Sequence, residues 1–321
     1  MKFLVILICL TINYLWLKDF DRFDDGWFFR FRCKIDSFTS DSMEKISQAW
    51  LLSAAIIYLV PILFLTLLLL LAEGAVYGLL TMLIHILVLL IAFDRTQPGK
   101  LASDFVTKWK EGNMEACVLY LQEELSVVDP LEVTDEKSLS SYFSKQLIYR
   151  CFEKMFVMFF WYMITGPIGI LFCYILYQMR DSHKDEQAQQ QLDLVRNTLM
   201  VLEWLPLRLL ALTFSLAGNF VRCFENLKRS FWLSGRETDN ADLLYGYASC
   251  ALSGLIDPQL DEAGSGAEDN GEGSADSETP ADNSRSDAVL EIAALQGLLE
   301  RSQAIWLSVL ALITIFGLSP W

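Results

Sequence analysis

Histidine is almost absent from this 321-residue chain, which holds two, His85 and His183, far apart. The seven cysteines, Cys9, Cys33, Cys117, Cys151, Cys173, Cys223 and Cys250, are scattered and never form C-x-x-C. No zinc constellation can be assembled from such spacings, and no disulfide framework is implied. The thiols read as small hydrophobes. Basic charge is also short, with 25 Lys and Arg against 40 Asp and Glu and a net charge of −15. That excludes a nucleic-acid binder, which needs a basic footprint. Charged residues of both signs make up only 20%, where a soluble domain carries about 25%. A phosphate loop is missing too. Gly264, Gly266, Gly271 and Gly273 lie among acids with no Lys after them, and their negative surroundings repel phosphate. There is no G-x-S-x-G elbow, no His-based triad and no strand–helix alternation. No catalytic, cofactor-binding or metal-ligating residue is assigned, and no cofactor is implied.

What the chain has in excess is apolar sequence, 53% of it, with a mean hydropathy of +0.34. Residues 49–72 and 75–93 carry no charge. At about 1.5 Å per residue each is long enough for a hydrocarbon core of roughly 30 Å. Only Glu73 and Gly74 separate them, so a helical hairpin is expected over 49–93, with Pro61 kinking its first arm. His85 in the second arm reads as hydrogen-bonded to a facing helix. A third apolar run, 155–178, is interrupted by Thr165-Gly166-Pro167-Ile168-Gly169. Such a break makes either a kinked span or two half-helices. A fourth run, Ala304 to Leu318, is flanked by Trp306 and Trp321, which suit an interface. Phe3 to Leu17 is apolar but short, and either crosses the bilayer or lies along it. It lacks a small-residue cleavage site and reads as uncleaved.

The polar segments complete an all-α polytopic membrane protein of about four to five membrane helices. Residues 1–48 join the first apolar helix to a basic and aromatic interfacial segment, exemplified by Trp27-Phe28-Phe29-Arg30-Phe31-Arg32. Residues 94–154 hold eight Lys and Arg and read as an amphipathic helical loop, cytoplasmic because cationic loops stay inside. One helix is expected over Glu115 to Leu125. A second, capped by Thr134 or Asp135, runs through Leu139, Tyr142, Phe143 and Leu147. In 187–256, Leu192, Val195, Leu199 and Leu202 follow helical spacing, with Asp193, Arg196, Asn197 and Glu203 turned away. Pro206 then marks a helix boundary. Residues 257–287 carry ten acids against Arg285 alone and are expected to be a disordered acidic linker, leading to a C-terminal helix and anchor over 288–321.

Several stretches resemble a known family. They are Phe3–Lys34, Leu101–Gly166, the block Val201-Leu-Glu-Trp-Leu-Pro-Leu-Arg-Leu-Leu-Ala-Leu-Thr-Phe-Ser-Leu-Ala-Gly218 and the ending Leu310-Ala-Leu-Ile-Thr-Ile-Phe-Gly317. They are similar to AmpE, bacterial inner-membrane proteins associated with β-lactamase induction. That family is in turn similar to the CobD/CbiB ligases of cobalamin biosynthesis. Where those enzymes place Glu, Glu, Asn and Asp ahead of an apolar span, this chain has Lys145, Tyr149, Arg150 and Glu153. Asp129 matches the acid of their Arg-Asp element, with Val128 in place of the Arg.

The resemblance implies a non-enzymatic, multi-pass regulator of the bacterial inner membrane, acting in the response to β-lactams and in cell-wall recycling. Its implied partners are the bilayer and, functionally, an AmpD-type anhydro-muropeptide amidase; nucleic acid is not among them. The alternative is a membrane-embedded ligase whose surviving polar residues are Glu153, Asp129 and Arg208. A small-molecule carrier built on the Gly166-Pro167 break is the third reading. The candidate functional or structural polar positions are Arg208, Glu153, Trp204, Pro206 and Asp129. Arg208 is the most consequential of these, because a guanidinium at membrane depth must snorkel or find an acid. Glu153 is the acid expected to pair with it.

Overall fold

A computed structural model describes residues 2–16, 28, 30–35, 37, 49–72, 78–92, 98–125, 136–181, 189–231, 239–253 and 280–316. Twelve α-helices and no strand occur among them: α1 (Lys2–Trp16), α2 (Ala49–Ala72), α3 (Leu79–Ala92), α4 (Pro98–Lys110), α5 (Met114–Leu125), α6 (Glu136–Cys151), α7 (Met158–Thr165), α8 (Pro167–Asp181), α9 (Gln189–Ala217), α10 (Phe220–Ser230), α11 (Asn240–Leu252) and α12 (Pro280–Ile315). A six-residue π-helical stretch, Phe152–Val157, joins α6 to α7. The expected all-α class holds. Two of these helices are long and apolar enough to cross a membrane, over Ala54–Ala72 and Leu192–Ala217, and two shorter apolar stretches cover Lys2–Ile12 and Leu79–Ala92. The expected turn at Glu73-Gly74 and the site candidate Asp129 lie outside the described residues.

The chain divides into two compact units. One comprises residues 1–96, 153–206 and 310–321; the other comprises 97–152 and 207–309. In the first, α7 and α8 pack together, with α8 against α2 and α3 and α7 against α1. The outer face of α2 is bare of protein, with Leu63, Phe64 and Leu71 each more than three-fifths exposed. His85 meets Tyr162 Oη at 3.0 Å, the facing-helix hydrogen bond its sequence context suggests. Lys2 Nζ donates to the Met163 carbonyl at 3.0 Å.

The second unit has a core of the soluble kind. Leu101, Phe105 and Trp109 of α4 meet Cys117 and Leu121 of α5 and Leu139, Phe143 and Leu147 of α6. Phe105 and Phe143 stack with centroids 3.7 Å apart. Gly112, at φ +74°, supplies the turn between α4 and α5, and the Asn113 side chain accepts from the Ala116 N–H at 3.0 Å to start α5. Burial raises the Cys117 thiol pKa; Lys108 moderates the rise and Glu111 adds to it. Ala288 and Ile292 of α12 close this core.

Two boundaries correct the sequence reading. The linker expected over 257–287 ends early, because α12 begins at Pro280. Proline suits a first helical turn, and Arg285 binds Glu136 at 2.6 Å, fixing a segment whose composition alone looked unfoldable. The helix boundary expected at Pro206 is absent: α9 runs through it for 29 residues.

Candidate functional site

The polar centre of the first unit is built by a helical hairpin. The run read as one broken span turns back on itself at Gly166-Pro167. Gly166 has φ +74° and ψ −152°, a region open in practice to glycine alone. Proline then starts α8, where its missing N–H costs nothing. The Glu153 carboxylate and the Arg180 guanidinium form a salt bridge. Along one straight helix those residues would stand about 40 Å apart. They meet because they lie at mirror positions on either side of the turn, so the run is two antiparallel half-helices, one of the two outcomes the Gly/Pro break allows.

Around that clasp the structure gathers residues the sequence had left apart. Glu153 is 1% exposed and Glu203 1% exposed. The Tyr177 hydroxyl donates to Glu203 Oε1 at 2.8 Å. The Arg180 guanidinium carbon lies 5.1 Å from the Tyr177 ring centroid, within cation–π range. Arg180 also reaches Asp181 Oδ1 at 2.9 Å. The Arg180 cation, the Tyr177 phenol and the carboxylates of Glu153, Glu203 and Asp181 thus form one connected network, in which charge-assisted hydrogen bonds are the strong members. Glu203 was expected to turn away with the polar face of α9. It does not, because Tyr177 offers it a buried donor, whereas Asp193, Arg196 and Asn197 are exposed as expected.

The same unit explains Pro206. Proline has no N–H, so the carbonyl four residues earlier, that of Leu202, loses its helical donor. Trp161 Nε1 of α7 donates to the Leu202 carbonyl at 3.3 Å. An indole from the hairpin therefore supplies the hydrogen bond that Pro206 withholds, and α9 continues unbroken.

Arg208 belongs to the second unit, and its seat is different. It is 4% exposed, and its Nε and Nη2 donate to the Phe231 carbonyl at 3.3 and 3.2 Å. Phe231 is the C-terminal cap of α10, where the helix dipole presents partial negative charge. A straight helix would carry 208 and 231 about 35 Å apart; instead, the chain reverses at Gly218. A Cβ at Gly218 would lie 2.5 Å from the Ala251 carbonyl oxygen, so α10 can approach α11 this closely only with glycine there. Cys223 Sγ reaches the Tyr247 carbonyl at 3.4 Å, and Ser230 Oγ meets Tyr247 Oη at 2.6 Å. The pairing drawn from sequence, Arg208 with Glu153, gives way to two clasps: Arg180 on Glu153, and Arg208 on a helix end. Trp204 is half-buried on α9, and Pro206 is buried.

Residues missed in the sequence are Arg180, Tyr177 and Trp161. The signal for Arg180 was available, since 153 and 180 are placed symmetrically about Gly166-Pro167. Among the described residues no group of three or more His, Cys, Asp or Glu side chains is arranged to hold a metal ion. No curated protein and no solved structure matches the chain. A family model described as regulatory signalling modulator protein AmpE matches residues 13–234, a stretch that contains both helical hairpins, their two arginine clasps and the Trp161–Leu202–Pro206 contact. The chain belongs to the AmpE family.

Proposed function

We propose that the protein is a multi-pass regulator of the bacterial inner membrane, acting in the response to β-lactams through cell-wall recycling, in functional connection with an AmpD-type amidase. The observation that carries this is the family match over residues 13–234, to a family described as a regulatory signalling modulator. In this reading α2 and α3 cross as a pair, the apolar end of α12 crosses singly, α9 enters with its apolar end and the Gly218 turn foremost, and α1 either crosses or lies along the surface, giving four to five membrane helices. The α7–α8 hairpin dips in and returns. Its arms, 153–165 and 167–180, are each about 20 Å long, too short for the hydrocarbon core, and its charged base stays at one face. The eight Lys and Arg of 95–154 put that loop in the cytoplasm and the Glu73-Gly74 turn in the periplasm.

The test compares a deletion strain with its parent under an inducing β-lactam, measuring β-lactamase activity together with muropeptide and cobinamide pools. A shift in induction and in anhydro-muropeptides with cobinamides unchanged is the expected result. Loss of phosphorylated cobinamides with normal induction would instead establish the ligase alternative. Topology is checked by impermeant thiol labelling of single-cysteine variants in intact cells. Position 74 should react and position 113 should not.

A further inference from the structure

The hairpin made by the end of α9 and α10 carries an exposed apolar surface of its own. Along α9, Leu209, Leu212 and Leu216 recur at helical spacing and are exposed. They form an apolar stripe on one of the two helices long enough to span a bilayer. The stripe does not stop at the Gly218 reversal. Phe220 and Phe224, one turn apart on α10, are 48% and 44% exposed and stack with ring centroids 5.4 Å apart. Behind them Lys228 and Arg229 are exposed near the end of α10. Glu225 is the one acid of this helix. The opposite face of α10 is already occupied, since Cys223 and Ser230 bond to Tyr247 of α11 and Leu227 is buried.

We propose that this hairpin is a bilayer wedge: Leu216, Phe220 and Phe224 enter the acyl boundary, and Lys228 and Arg229 grip anionic phospholipid headgroups. The inference rests on the membrane reading above. Two features choose lipid as the occupant. The apolar patch continues a stripe on a spanning-length helix, and the charge that follows it is basic, complementary to an anionic leaflet. The spacing also fits. From Phe224 to Lys228 is about 6 Å of helix rise, and interfacial helices bury their apolar face by about 5–10 Å. Cations set four residues from the aromatic pair therefore arrive at headgroup level.

The full chain, reconstituted in phosphatidylcholine vesicles with or without phosphatidylglycerol, is photolabelled by an acyl-chain diazirine lipid and mapped by mass spectrometry. The α2 segment around Leu63–Leu71 reports the membrane reading; the 220–224 segment reports the wedge. Labelling of 220–224 should rise several-fold when phosphatidylglycerol is present, and K228Q/R229Q should abolish that rise while α2 labelling is unchanged. If α2 is labelled and 220–224 is not, the wedge is wrong and the membrane reading stands. If 220–224 is labelled equally with and without anionic lipid, the headgroup grip is wrong. Absence of label from both segments overturns the membrane reading and the wedge with it.

Discussion

Two helical hairpins, one in each unit, solve the same folding problem with different chemistry. Both reverse at a glycine and both are clasped at the open end by an arginine. In the first, Arg180 closes on the carboxylate of Glu153, a charge with almost no access to water. In the second, Arg208 closes on the Phe231 backbone carbonyl, a neutral acceptor at a helix end. The glycines differ as well. Gly166 is needed for its backbone angles, with open space where a Cβ would go, while Gly218 is needed for space against Ala251. A clasp on a buried charge supplies a cation to a carboxylate that water hardly reaches; a clasp on a carbonyl is a cap, and its loss is a local event. The first hairpin is therefore where a single substitution should do most damage.

The largest effect is expected at that charge pair. Arg180→Ala removes the cation facing a carboxylate that is 1% exposed, and breaking a buried pair in this way costs about 3–5 kcal/mol. Glu153→Ala should also destabilise. The double alanine variant should be no worse than Arg180→Ala, because the buried charge that Arg180 faced is then gone. Chemical unfolding of the four proteins in detergent micelles measures this. Simple addition of the two losses would show that Glu153 and Arg180 act independently, and the contrast between the hairpins would disappear.

Next come the two turns. Gly166→Ala forces an L side chain into a region closed to it, at about 1–3 kcal/mol. Asn should not rescue it, because ψ −152° lies far from the left-handed helical region that Asn tolerates. Gly218→Ala costs a similar amount by overpacking, about 1–3 kcal/mol, and Ala251→Gly should not relieve it because the nearest atom is backbone. Thermal unfolding of these variants distinguishes angle from space. Recovery of Gly218→Ala by Ala251→Gly would mean that the side chain, not the backbone, sets the approach.

These distinctions mark what the sequence could and could not convey. Apolar runs and breakers were legible as written: the extents of α2, α5 and α6 and the interruption at Gly166-Pro167 follow from local composition. The fate of the interruption was not, because a kink and a reversal share the same residues, and only the meeting of Glu153 with Arg180 decides between them. With both outcomes open, Glu153 was paired with Arg208 because it begins the run and keeps an acid of the ligase pattern. Glu203 was misjudged for a related reason. Its polar face on α9 looks solvated until Tyr177, 26 positions away, supplies a donor. Pro206 looked like a helix end because its remedy, Trp161, lies in another helix.

A smaller effect is expected at the second clasp. Arg208→Ala leaves the Phe231 carbonyl without the guanidinium donors, at about 1–2 kcal/mol, and Lys should recover part of this, since it restores the charge at the helix end but not the fork. The loss should add to that of Glu153→Ala. The pairing of Glu153 with Arg208 expected from sequence requires a double variant no worse than either single one. Unfolding of that double variant therefore decides between a carboxylate partner and a helix cap for Arg208.

The finest test of the first hairpin concerns the carbonyl that Pro206 leaves open. Trp161→Phe keeps an aromatic ring but removes the N–H that reaches the Leu202 carbonyl. An unmet carbonyl in this partly buried setting should cost about 1 kcal/mol. Pro206→Ala restores a backbone N–H at the position from which a continuous helix would donate to that same carbonyl. In the Pro206→Ala background, Trp161→Phe should therefore cost clearly less than it does in the native chain, because the acceptor no longer depends on the indole. The comparison needs only the two differences, so any general stabilisation of α9 by alanine cancels. Were Trp161→Phe to cost the same with proline or alanine at 206, the indole would be contributing packing alone. The unbroken course of α9 through Pro206 would then owe nothing to the hairpin beside it.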